Sequence, residues 1–413
     1  MNHRIRRPGT MRPGVAAGVA VPSSLAGSAI AAPWEFNPRV EAGYLYDDNY
    51  RLTAPGGEID VSGPLVDAEL ELRSITQTGE FSFTPRVRAT YFPDAKELDA
   101  VDYFADLNWE HRGQRVYTRL RGEYARQDIV NSEQPTVDLG GDLGEPDTGD
   151  AGRVLAENRR TRWFVRPDLN VELSQRRELQ FGLGYTDVVF DENINDAQVD
   201  FSVADVAIGL LSRINERDSF TVRLRGASYE IGERDPSEGY GAELQWDRRT
   251  AADTRWYVRA GAQEVELVLV DVGGFELTDK QTAWLAGAGV NFMLGRDEMF
   301  IDLTHNVGPS SAGTVVSRDQ LRFRWTRALT PRLSLLAGLR ATHDQDLDDS
   351  AFSTFTERSY AIGDVGLQWF WQEEFSLRVA YDYTWQKFRG DADPAKSSGA
   401  LLSFVYQPLQ RRR

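Results

Sequence analysis

The chain has no cysteine, which excludes a disulfide framework, a thiolate zinc site and a cysteine nucleophile. It also has no apolar run approaching the roughly 20 residues that a membrane-spanning helix requires, so a helical membrane protein is excluded as well. Positive charge is in deficit: 47 Lys and Arg stand against 63 Asp and Glu, for a net charge of -16. Nucleic acid, which is held by clustered basic residues, is therefore not an expected partner. The mean hydropathy of -0.45 has the value of an ordinary soluble protein. A transmembrane β-barrel shares it, because only every second residue of each strand faces lipid. At 413 residues the chain could form two or three ordinary domains or one large closed barrel.

What is present begins with a basic amino terminus carrying Arg4, Arg6, Arg7 and Arg12, then a small-residue apolar stretch from Gly14 to Ile30 and an Ala29-Ile30-Ala31 cleavage-type tripeptide. This pattern predicts a secretory signal peptide over residues 1–32 and a mature chain over 33–413. No boundary suggests a second folded domain.

From Arg39 onward, apolar or aromatic residues recur at every second position over segments of about 8 to 12 residues, the period of a one-sided strand. Phe81, Phe83, Pro85, Val87, Ala89 and Tyr91 share one face, and Ser82, Thr84, Arg86, Arg88 and Thr90 the other. The same split separates Phe375, Leu377, Val379, Tyr381, Tyr383 and Trp385 from Ser376, Arg378, Asp382 and Thr384. Short turn-rich links (76–79, 111–114, 174–177, 215–218, 250–253, 295–298, 330–332 and 372–374) alternate with longer ones (47–63, 92–100, 127–158, 191–198, 231–237, 269–277, 308–315, 344–353 and 389–396). Outer-membrane barrels alternate in this way, with tight periplasmic turns and long extracellular loops. The expected fold is all-β: a transmembrane antiparallel up-and-down barrel of eighteen strands in the cell outer membrane, with both termini periplasmic. Sixteen strands is the alternative, should a weak strand such as 199–214 be split wrongly.

Aromatic placement gives the same orientation. Trp109, Trp246, Trp256, Trp325 and Trp369 are expected at the periplasmic rim, and Trp163, Trp284 and Trp385, with Tyr124 and Tyr185, at the outer rim, where amphipathic rings favour the interface. The alternation points twelve arginines into the lumen: Arg86, Arg88, Arg119, Arg121, Arg166, Arg223, Arg225, Arg259, Arg322, Arg324, Arg340 and Arg378. They could line a path for polar or anionic solutes. The inward acids Asp67, Glu69, Glu71, Asp106, Glu110, Asp168, Glu172, Glu243 and Asp247 lie mainly on neighbouring strands, so cross-strand ion pairs that brace the wall are the favoured alternative reading. A barrel this wide encloses a channel unless loops fill it, and a sealed barrel with a structural or surface-interaction role is the competing function. The longest connection, 127–158, is acidic and glycine-rich; its spacing is not that of an EF-hand, and no metal ligand or cofactor is expected there.

The last strand carries Ser397, Gly399, Leu402, Phe404 and Tyr406, which resemble the terminal insertion signal read by the barrel assembly machinery; a tail from Gln407 to Arg413 follows it. Gly43-Tyr44-Leu45-Tyr46-Asp47-Asp48-Asn49-Tyr50-Arg51 resembles the opening strand and Asp-Asn loop of the beta-barrel porin 2 family. That resemblance implies a porin-like channel, one that in some members serves exopolysaccharide export, with polysaccharide export components as partners beside outer-membrane lipid and lipopolysaccharide. It transfers no catalytic residue. The four histidines (His3, His111, His305 and His343) form no recognisable nucleophile motif, and the chain does not read as an enzyme. His305 and His343 read as polar residues at strand ends; a barrel enzyme would instead bring a carboxylate, a histidine and a hydroxyl together near the outer rim.

Overall fold

The computed structural model describes residues 34–134, 157–192, 198–232, 235–251, 254–270, 276–347 and 357–408. The expected signal peptide and most of the 127–158 connection lie outside them. Eighteen strands run in sequence: β1 Trp34–Asp47, β2 Val61–Ile75, β3 Gly79–Thr90, β4 Ala100–Arg112, β5 Val116–Asp128, β6 Arg159–Ser174, β7 Arg177–Phe190, β8 Phe201–Arg213 and β9 Asp218–Ile231, followed by β10 Ser237–Ala251, β11 Thr254–Val270, β12 Glu276–Leu294, β13 Asp297–Ser310, β14 Thr314–Thr330, β15 Leu333–Asp346, β16 Arg358–Gln372, β17 Phe375–Phe388 and β18 Ala395–Tyr406. Each pairs antiparallel with its neighbours in sequence, and β18 returns to β1 with Phe404 opposite Ala42 and Leu402 opposite Tyr44. The sheet is therefore closed. Closure satisfies every edge strand, which an open sheet of this size would leave exposed to mispairing. The count is eighteen, and the weak strand expected near 199–214 forms as β8.

The alternation read from the sequence becomes a division between two surfaces. On the outer face large apolar side chains stay open, with Leu224 61%, Val379 51% and Leu402 52% exposed, a condition that only lipid makes favourable over so wide a belt. All eight expected tryptophans occupy this face. Trp109, Trp246, Trp256, Trp325 and Trp369 lie toward the short-turn rim, while Trp163, Trp284 and Trp385 lie toward the long-loop rim. Trp34 and Trp371, not foreseen, are also exposed, 54% and 59%, near the short-turn rim.

One expected contrast is weaker than the sequence suggested. The 308–315 connection shortens to the turn Ser311–Gly313 because β13 and β14 extend to Ser310 and Thr314, so this outer link is as tight as those on the opposite rim. Positive φ at Gly313 (82°) closes it, a conformation that other residues adopt only under strain.

The inward faces carry arginines and carboxylates over most of the barrel's length, Arg318 with Asp344 and Arg160 with Glu133 among them, and apolar side chains join these toward the long-loop rim. Val188, Phe190, Phe201, Ile231, Val265, Leu267, Leu285 and Val315 form one buried cluster there, and Ile129 from the β5–β6 connection packs into it. A second cluster joins Tyr50, Val61, Phe92, Leu98 and Val130. The hydrophobic core thus sits inside the outer half of the barrel and packs inward-turned loops against the wall.

Candidate functional site

The charged lining of the lumen is built by register. Asp67 on β2 lies opposite Arg88 of β3, and Arg86 is two residues further along the same face. Asp67 accepts from Arg86 through both oxygens (Nε at 2.8 Å, Nη2 at 2.6 Å) and from Arg88 Nε at 3.1 Å. A fork of this kind is the strongest form of carboxylate recognition by arginine. Around the ring, Arg119 lies 3.4 Å from Glu110 and donates to Asn108 at 3.1 Å. Arg121 and Arg166 flank Asp168 at 3.9 and 3.3 Å. Arg223 donates to Glu243, whose other oxygen is 3.9 Å from both Arg225 and Arg259. Arg322 donates to Asp302 at 2.8 Å, and Tyr257 donates to the same carboxylate. Arg378 reaches Glu41 at 3.9 Å. Arg324 shares the inner face of β14 with Arg322, and Arg340 on β15 stands opposite Arg322. All twelve expected arginines therefore face inward.

Their partners are only partly those the sequence suggested. Asp67, Glu110, Asp168 and Glu243 are among the expected acids; Glu41, Asp205 and Asp302 were missed. Arg39, which pairs with Glu41 at 2.7 Å, was missed as well. The available signal for each was its inward parity.

The β5–β14 side of the lumen encloses a cavity of about 600 Å³. Arg119, Arg162, Arg166, Arg223, Arg225, Arg259 and Arg322 line it with the acids Asp168, Asp205, Glu243 and Asp302, while Glu110 and Glu123 pair with Arg119 and Arg162 at 3.4 and 2.9 Å. Tyr117, Phe164, Tyr229 and Tyr257 add aromatic surface. Gly287 makes room for this arrangement, since a Cβ there would come within 2.5 Å of the Arg259 Nε. Arg259 instead extends to Asn306, donating at 2.9 Å. The wall is thus braced by ion pairs, as the favoured sequence reading held, and arginines outnumber the acids among the residues that line the cavity.

Above the cavity, a short helix α1 (Ile129–Glu133) follows β5 and turns inward. Asp128 caps it, accepting from the Val130 amide at 2.9 Å, and Asp102 holds Asn131 Nδ2 at 2.7 Å. Glu133, 1% exposed, is the tip of this segment. Its carboxylate accepts from Ser311 Oγ at 3.0 Å and lies 3.8 Å from Arg160, while its backbone carbonyl accepts from Arg358 at 3.2 Å. Ser311 belongs to the β13–β14 turn and Arg358 to β16, far around the ring from β5 and β6, so these bonds run across the mouth rather than along the wall. Gln134 donates to the Arg51 carbonyl at 2.9 Å, and the Val199 amide donates to the Ser311 carbonyl at 2.8 Å, which brings two further connections to the same point. Tyr50, buried against Phe92 with ring centroids 5.1 Å apart, completes the seal on one side; burial pushes its phenol up, so it stays neutral. The described part of the 127–158 connection therefore folds inward and narrows the bore. The acids Asp138, Asp142, Glu145, Asp147 and Asp150 of that connection lie outside the described residues.

Comparison with solved structures fits this geometry. The chain superposes on the FrpB iron transporter from Neisseria meningitidis (TM-score 0.50, 8% identity, 91% of this chain and 82% of that one). It also aligns with OccK2 (OpdF) from Pseudomonas aeruginosa in complex with glucuronate (TM-score 0.46, 12% identity, 91% and 98%). The fold is that of an outer-membrane β-barrel. No protein-family model matches the chain, the beta-barrel porin 2 family included, and no curated protein is similar to it in sequence.

Proposed function

We propose that this barrel is an outer-membrane channel for small anionic solutes, with a bore narrowed at its outer mouth by the Glu133 segment. The observation that carries the reading is the set of seven arginines that line the luminal cavity. A cavity of about 600 Å³ lined by seven guanidinium groups suits a carboxylate of sugar size better than a neutral molecule. Paired arginines remain useful in such a path, because a passing carboxylate can exchange with a wall carboxylate without leaving any guanidinium unpartnered. In this reading the short turns and both termini face the periplasm, the tryptophan girdles mark the two lipid interfaces, and lipopolysaccharide surrounds the long-loop rim. Phe404 and Tyr406, which pack against Phe375 on the outer surface, serve as the terminal signal for the assembly machinery.

Swelling of proteoliposomes tests the proposal. Entry of a small carboxylate should exceed that of an uncharged sugar of equal size several-fold, and equal rates would remove the anion reading. A second reading, a sealed barrel with a structural role, draws on the same constriction across the mouth. It would be favoured by the absence of swelling both in the natural sequence and in Glu133→Ala. Export of a polysaccharide, which the first-hairpin resemblance implies, would need the mouth to open far wider than the Ser311–Glu133 bond allows, so we place it behind small-solute passage.

A further inference from the structure

Where two arginines face each other on the inner wall, the chain places a carboxylate beside them. Arg121 stands opposite Arg166, and Asp168 lies 3.9 and 3.3 Å from the two. Arg322 stands opposite Arg340, and Asp302 accepts from Arg322 at 2.8 Å. A third facing pair lies near the short-turn rim, where Arg249 of β10 stands opposite Arg255 of β11. Arg249 continues the inner face of Glu243, Gln245 and Asp247, and Arg255 that of Tyr257 and Arg259. Like charges directly opposite each other destabilise a sheet. Among the described residues, no carboxylate forms an ion pair with either of these two side chains.

The pair opens onto a cavity of about 380 Å³ at this end of the bore. Glu216, Asp218 and Asp247 also border it. Asp218 lies 3.7 Å from Arg248 and accepts from Trp246 Nε1 at 3.2 Å. Asp247 accepts at 2.8 Å from Gln245, which lies on its side away from the rim. Glu216 belongs to the β8–β9 turn and pairs with neither arginine among the described residues. Asn291 of β12 stands opposite Arg255, and Phe300 of β13 opposite Asn291, so an amide and a ring extend the inner surface beside the pair. Tyr257 lines this cavity and the larger luminal one alike, which makes the two neighbours along one path. Arg255 and Arg259 are four residues apart on β11, about 13 Å along the strand.

We propose that Arg249 and Arg255 form a binding site for the phosphate group of a small solute at the short-turn end of the bore. Charge and oxygen count select the group. A carboxylate carries one charge and two oxygens, which a single guanidinium fork uses up. A phosphate monoester carries close to two charges and three free oxygens, enough to engage two forks at once and to cancel the repulsion between them. Asn291 puts an amide donor beside Arg255 for a further oxygen. Phe300 and Tyr257 offer aromatic surface to the rest of the solute, and the cavity has the size of a sugar phosphate. Both arginines face the bore, so a soluble phosphate reaches them and a lipid headgroup does not. The site rests on the small-anion reading of the barrel and adds to it the class of anion and a second station on the path.

The test titrates the full-length mature protein, folded in phospholipid-free detergent, with inorganic phosphate, glucose 6-phosphate and acetate in a calorimeter. Both phosphates should bind, and acetate about tenfold or more weakly. Arg249→Gln and Arg255→Gln should each weaken phosphate about 10- to 100-fold, the loss of one charge-assisted contact, while Arg223→Gln in the luminal cavity keeps the site. Urea unfolding separates binding from a structural role. Without phosphate, each glutamine variant should unfold at a midpoint no lower than that of the natural sequence, because the repulsion is gone; phosphate should raise the natural midpoint and not that of the double variant. A short-chain phosphatidylglycerol should not displace phosphate, and displacement would assign the site to a headgroup and overturn the proposal. Absence of phosphate binding by the folded natural protein would overturn it too, as would equal binding by the double variant or acetate bound as tightly as phosphate. Phosphate binding by a barrel that passes no anions in the swelling assay would remove the small-anion reading and leave the site; anion passage without phosphate binding would do the reverse.

Discussion

Replacing Glu133 by Ala should open the mouth of the barrel. The side chain is 1% exposed and ties α1 to the far wall through Ser311 at 3.0 Å and Arg160 at 3.8 Å. Its removal leaves Arg160, itself 3% exposed, with the Ser132 carbonyl at 3.1 Å and no carboxylate. Stranding one member of a buried ion pair costs about 3–5 kcal/mol. Because the charged atoms are 3.8 Å apart rather than in a tight fork, the lower end, about 3 kcal/mol, applies. That cost falls on the closed mouth and not on one in which Arg160 meets water. At about 1.4 kcal/mol per factor of ten, the open-to-closed ratio should rise on the order of 100-fold. Glu133→Gln keeps the size and an acceptor for Ser311 but removes the charge, so it should fall between the two. Single-channel recording in planar bilayers reads the open fraction directly. Refolded Glu133→Ala channels with the same conductance and open fraction as the natural sequence would refute the latch.

Further outcomes follow from the same geometry. Glu243→Gln removes the one carboxylate shared by Arg223, Arg225 and Arg259; a unit charge at 4 Å is worth about 1 kcal/mol in water, so the anion-to-cation permeability ratio should rise about fivefold in reversal-potential measurements. Leu224→Arg places a charge on the lipid face, where Leu224 is 61% exposed, and should cost about 2–4 kcal/mol in equilibrium refolding into vesicles. Asp67→Asn leaves Arg86 and Arg88 without their shared carboxylate and should lower the urea midpoint of the barrel, while Asp60→Asn, in the β1–β2 connection, should not.

The barrel was legible because its main signal has period two and needs no knowledge of which strands meet. Arg86 and Arg88 show their face from their own neighbours in sequence. Pairing was less legible: Arg88 is the direct partner of Asp67, yet Arg86, one step along the ladder, makes the two-oxygen contact. The latch was not legible at all. Glu133 sits in a run of acids that reads equally as a solvated or a pore-folding loop, and its partners Ser311 and Arg358 are 178 and 225 residues away in sequence.

The measurement that tests the central claim most directly is the reversal potential of single channels under a salt gradient, for the natural sequence and for Arg223→Glu with Arg225→Glu. Both side chains line the luminal cavity, so if solutes pass there the natural channel should favour anions and the double variant should favour cations. Conductance whose selectivity is unchanged by the double reversal would show that ions pass elsewhere and would contradict the account.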